Sequence, residues 1–102
     1  MGRTPIHPGE ILADELQERG MSALALAKAL HVPANRLAQI VSGKRGITAD
    51  TALRLSQLLG TTPDFWINLQ KSYELRRAEQ EKGEEIRRLI KPLLWVPKIR
   101  IS

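Results

Sequence analysis

The 102-residue chain contains no cysteine. That excludes a disulfide framework and a cysteine-ligated zinc site, and it fits a reducing compartment. Aromatic side chains make up only 4% of the residues, too few for the stacking platforms that grip single-stranded nucleic acid. No apolar run approaches the ~20 residues that a bilayer span requires. The opening residues, from Met1 to Pro8, lack the apolar stretch of a secretory signal. The two histidines, His7 and His31, stand alone without ligand spacing, so no metal is expected. Gly43-Lys44 lacks the upstream glycine and the following serine or threonine of a phosphate-binding loop. No serine, histidine and acid set can be placed together. The sequence therefore predicts no enzyme, no catalytic residue and no cofactor. A small cytoplasmic module without membrane contact remains.

What the chain does have is positive charge, unevenly placed. Sixteen basic against 11 acidic residues give a net charge of +5. Residues 1–20 are net acidic, whereas residues 21–46 hold Lys28, Arg36, Lys44 and Arg45 and no acid at all. A second basic excess lies in residues 84–102. A basic segment on a small domain is the electrostatic footprint of a phosphate partner.

Helix punctuation is dense. Pro8 suits a first helical turn, Glu10 suits its dipole and Gly20 suits its stop, which predicts a helix over 8–19. Ser22 caps a second helix, which ends at His31-Val32-Pro33 because the residue before proline avoids the helical region. A third starts at Pro33 or Ala34 and buries Leu37, Ile40 and Val41. Thr48 caps a fourth, whose inward residues are Ala52, Leu55, Leu58 and Leu59 and whose stop is Gly60. Thr62-Pro63-Asp64 opens a fifth, with Phe65 and Trp66 assigned to the core. Gly83 is read as a break, followed by a short amphipathic helix carrying Ile86, Leu89, Ile90 and Leu93 and limited by Pro92. Residues 94–101 alternate as an edge strand would, with Trp95, Ile99 and Ile101 on one face.

Two short helices joined by a tight turn, the second polar and followed by Gly43-Lys44-Arg45, describe a helix-turn-helix. An α-helix fits the major groove, where each base pair shows its own donor and acceptor pattern. Asn35 and Gln39 carry amides able to pair with adenine, and Arg36 can reach guanine or phosphate. Lys44 and Arg45 would grip the flanking backbone, and the start of the second helix at Ser22 offers backbone N–H groups to an anion.

Residues 22–46 resemble the Cro/phage-repressor (xenobiotic-response-element) helix-turn-helix proteins. The wider pattern is more specific. It comprises His7-Pro8-Gly9-Glu10-Ile11-Leu12, Gly43-Lys44-Arg45-Gly46-Ile47-Thr48, Thr51-Ala52-Leu53-Arg54-Leu55 and the run from Gly60 to Gln70. Together these resemble the HigA (VapI-type) antitoxins over about residues 6–75. The resemblance implies an all-α, five-helix Cro/phage-repressor-like domain over 1–75. Residues 76–102, with the short helix and edge strand, form an extension for dimerisation or partner binding.

It also implies a homodimeric repressor of its own operon. Such a protein binds a palindromic double-stranded operator and neutralises a HigB-type ribonuclease toxin. By position, Ala34, Asn35 and Gln39 would face bases. Ser22, Lys28, Arg36, Lys44 and Arg45 would hold phosphate or flanking DNA. The tail beyond Gly83 lies outside the resemblance; from its own apolar pattern, Ile86, Leu89, Ile90, Leu93, Trp95, Ile99 and Ile101 would form the dimer or partner surface. Ala23 and Pro33 depart from the family, which often has glutamine and a serine or threonine cap there. Two other readings share the fold: a repressor without a toxin, and an interaction module that no longer binds DNA.

Overall fold

In a computed structural model that describes residues 4–93, five helices follow one another. They are α1 (Pro8–Arg19), α2 (Ala23–Leu30), α3 (Ala34–Val41), α4 (Ala49–Leu59) and α5 (Pro63–Leu89). No strand occurs among the described residues. Four helices begin on a side-chain cap that satisfies an orphan N–H. Ser22 accepts from Ala25 N at 3.0 Å, Thr48 from Thr51 N at 3.4 Å and Thr62 from Phe65 N at 3.2 Å. At α1 the cap is His7, whose Nδ1 accepts from Gly9 N at 2.8 Å. Glu10 answers by accepting from His7 N at 3.3 Å, closing a capping box. Gly20 and Gly60 take the left-handed conformation that ends α1 and α4.

The core gathers one stripe from each helix. Leu12 and Leu16 of α1 share it with Leu26, Ala27 and Leu30 of α2. Leu37 and Ile40 of α3, Ala52 and Leu55 of α4 and Trp66 of α5 complete it, with Ile47 from the connecting loop. Each large side chain so buried contributes ~1.5–3 kcal/mol. The helix-turn-helix pair forms because α2 can end tightly. His31 takes the left-handed region (φ 60°), Val32 N donates to the carbonyl of Ala27, and Pro33 turns the chain into α3. Gly9 is required where α1 crosses α3, since a Cβ at Gly9 would collide with the Ile40 carbonyl.

Three expectations are corrected. Phe65 is 42% exposed. It lies about 100° around the helix from buried Trp66, so both rings cannot face inward; instead it packs edge-on against Trp66 at 5.0 Å. Leu58 is exposed for the same reason, because α4 turns Ala52, Leu55 and Leu59 inward. The separate short C-terminal helix does not exist: α5 runs unbroken for 27 residues through Gly83. A helical glycine costs about 1 kcal/mol relative to alanine, too little to stop a run of good helix formers. Glu79 and Arg87 also pair across Gly83 at 2.7 Å. The helix ends at Leu89, ahead of Pro92, with Ile90 already extended. The edge strand expected over 94–101 lies outside the described residues.

Candidate nucleic-acid interface

The exposed side of α3 follows from its buried side. Leu37 and Ile40 are fully buried, so Ala34, Asn35 and Ala38 are left on the surface. Asn35, Ala38 and Gln39 stand at i, i+3 and i+4 and share one face. The structure thus exposes Ala34 and Asn35, and Gln39 in part.

Gln39 is gripped by the loop that follows α3. Its backbone carbonyl accepts from Lys44 N at 2.8 Å and from the Ser42 hydroxyl at 3.2 Å. Its side-chain Oε1 accepts from Arg45 Nε at 2.8 Å. The loop is itself anchored. Gly43 adopts φ 82°, which a side chain would resist. Gly46 lies against the Gln70 amide with no room for a Cβ. Ile47 N donates to Gln70 Oε1 at 2.8 Å, and Gln70 Nε2 donates to Glu74 at 2.9 Å. Sequence reasoning missed Gln70, whose role appears only when α5 folds back onto the loop.

His7 completes this support. Its ring meets Tyr73 of α5 edge-on at 4.8 Å and hydrogen-bonds to the Arg45 backbone. Since Nδ1 accepts from Gly9 N, the proton of the neutral ring sits on Nε2, the nitrogen left to donate to Arg45. Burial holds the imidazole below its ordinary pKa, against the raising influence of Glu10 and of the Arg45 bond.

Arg36 is placed differently from Arg45. Its guanidinium pairs with Asp50 of α4 at 2.7 Å, and the same carboxylate oxygen takes Arg54 Nε at 2.9 Å. Arg54 Nη1 also donates to the Leu30 carbonyl at 2.9 Å, capping the C-terminus of α2. The hydrogen bonds from Arg36 and Arg54 hold the Asp50 carboxyl below the usual carboxylate range. Asp50 thus ties α3 and α4 together while Arg54 carries the tie to α2. Ser22 caps α2, and Lys28 and Lys44 are exposed. The other expected surface is remote from this one in sequence. Ile86, Leu89, Ile90 and Leu93 are all exposed, with Leu93 at 72%. Trp95, Ile99 and Ile101 lie outside the described residues. Among the described residues no acid or histidine cluster could hold a metal, and no helix is long and apolar enough to cross a membrane.

Comparison with known proteins agrees with this geometry. The helix-turn-helix family HTH_3 matches residues 12–66. The chain is 56% identical over 78 residues to virulence-associated protein I of Dichelobacter nodosus, covering 76% of this chain and 72% of that one. A solved addiction module antidote protein of a HigA family from Coxiella burnetii is 51% identical, with a TM-score of 0.86 over 89% of this chain and all of that one. The Pseudomonas aeruginosa antitoxin HigA, solved with the higBA promoter, is 49% identical, with a TM-score of 0.86 over 88% of this chain and 99% of that one.

Proposed function

The chain belongs to the helix-turn-helix family HTH_3 and, within it, to the HigA antitoxins; from that premise we propose how it works. It is a sequence-specific DNA-binding repressor of its own operon and the antitoxin that neutralises a HigB-type ribonuclease toxin in the cytoplasm. The observation that carries the DNA half is the polar face of α3, with Asn35 exposed and Gln39 locked to a cationic loop. Ala34, Asn35 and Gln39 meet base edges in the major groove. Ser22, Lys28, Lys44 and Arg45 hold the flanking backbone, and Arg36 joins them by exchanging Asp50 for phosphate.

Two copies form the working unit. Reading helices about 34–36 Å apart enter successive major grooves of a palindromic operator, and occupancy of the promoter blocks transcription. Residues 76–102 serve assembly, with Ile86, Leu89, Ile90 and Leu93 as the described part of that surface. An apolar row of this length is a liability if left uncovered, which supports burial against a second copy or the toxin.

The test is a titration of the purified protein against the DNA upstream of its gene and a scrambled duplex, at two salt concentrations. A preference of ~10³-fold or more is expected. Equal, weak binding to both duplexes overturns the repressor reading. Stable co-elution with the product of the adjacent small gene, and loss of that product's ribonuclease activity on binding, tests the antitoxin half.

A further inference from the structure

An arginine side chain has five donors and no acceptor. The Gln39 atom that faces Arg45 Nε at 2.8 Å is therefore the carbonyl oxygen, and the amide orientation is fixed by chemistry. A glutamine that reads adenine must accept from N6 and donate to N7, which uses both ends of the amide. Here the accepting end is already engaged, and its remaining lone pair lies beside a cation. What Gln39 offers outward is its NH₂ group.

Arg45 is held in place from its backbone. Its peptide hydrogen-bonds to the His7 ring, Lys44 N is bonded to the Gln39 carbonyl and Gly46 is seated against Gln70. No carboxylate among the described residues forms an ion pair with it. Its unused guanidinium donors therefore stand next to the Gln39 NH₂. The two side chains present adjacent donors, and the one lone pair left on Gln39 Oε1 lies beside the guanidinium, an arrangement that favours guanine, whose N7 and O6 both accept.

We propose that Arg45 is a positioning and specificity residue: by engaging Gln39 Oε1 it turns Gln39 into a donor that reads guanine in place of adenine. This rests on the DNA-reading function proposed above and adds which base α3 selects at that position.

Selection from a randomised duplex library tests it, using the full chain and its Gln39→Ala and Arg45→Met variants. Gln39→Ala identifies the base position, as the one whose preference relaxes. The wild type is expected to enrich guanine there. Arg45→Met should shift the guanine-to-adenine ratio at that position by about tenfold or more, a pairwise discrimination of ordinary size. A second measurement, made on the wild-type protein once the position is known, changes only the DNA: 7-deazaguanine at that position removes the N7 acceptor and should weaken binding several-fold. Enrichment of adenine by the wild type overturns the proposal and leaves the repressor reading intact. So does an Arg45→Met variant that binds all sequences more weakly at an unchanged ratio, or a 7-deazaguanine duplex bound as well as the parent. Enrichment of no sequence at all overturns the repressor reading along with it.

Discussion

Gln70, buried on α5, accepts the backbone N–H of Ile47 at 2.8 Å and so ties the long helix to the end of the cationic loop. The contact spans 23 residues of sequence and fixes a segment with no helix of its own. Replacing Gln70 with Ala leaves the Ile47 N–H buried without a partner, a loss of ~1–3 kcal/mol. Chemical denaturation should show that loss. DNA binding of the folded variant should also weaken, because Lys44 and Arg45 are no longer held to one geometry. Full affinity in a folded Gln70→Ala variant would refute the second part.

Asn35 is exposed on the first turn of α3, and the proposed function places it against a base edge. Asn35→Ala should cost ~1–3 kcal/mol of operator binding and relax the preference at one base pair. Its effect on melting should be negligible, since the side chain is exposed. Competition between operator variants measures it; an equal loss for random DNA would assign Asn35 to the phosphates.

Lys44 is exposed in the loop, and the proposed function gives it a backbone contact. Lys44→Ala should weaken binding to operator and random duplex alike and reduce the slope of log K against log salt by about 1. A salt titration with both duplexes separates this from a change in specificity.

Asp50 neutralises Arg36 and Arg54 beside the reading helix. Asp50→Ala should lower the melting midpoint modestly, since exposed pairs contribute little. It should also strengthen non-specific DNA binding, with a salt slope steeper by about 1. Because the folded-state pKa is depressed, the carboxylate's contribution is present above about pH 4 and is lost as pH falls through the folded value. A melting curve at pH 3 should therefore separate the wild type from Asp50→Ala less than one at pH 7.

His7 titrates in the opposite setting. Burial depresses its folded-state pKa below the ordinary ~6.5, so between the two values the unfolded chain binds more protons. The stabilisation from neutral His7 is complete above about pH 6.5 and is lost as pH falls toward the folded value. His7→Asn retains a capping acceptor and removes the titration. Melting midpoints between pH 7 and 5 should fall more steeply for the wild type than for His7→Asn; parallel slopes would dismiss the idea.

Local chemistry was legible in the sequence. Ser22, Thr48 and Thr62 cap the helices that follow them, and Gly20 and Gly60 stop the helices before them. Those signals act over a few residues and need no knowledge of the fold. Contacts that depend on which helix returns to which were not legible. The clamp of Asp50 on Arg36, the bond from Arg54 to Leu30, and the seats of His7 and Gln70 under the loop all join distant segments. Gly83 misled because its cost is intrinsic and small, whereas the ion pairs around it depend on neighbours. Phe65 misled because type alone places an aromatic ring in the core, while helical phase turns only Trp66 inward.

The second half of α5 carries one more consequence. From Glu74 to Leu89 nearly every residue is exposed, and the helix is supported by pairs such as Arg77 with Glu81 at 2.6 Å in place of tertiary packing. While this surface is uncovered, its backbone amides are therefore protected only by local helix–coil equilibrium, not by global unfolding. In hydrogen exchange the chain should divide into two populations, a slow one in α1–α4 and the start of α5 and a fast one beyond Tyr73. Any partner that covers Ile86, Leu89 and Ile90 should slow the fast population by mass action. Exchange at those amides thus reports occupancy of this surface without labelling either protein.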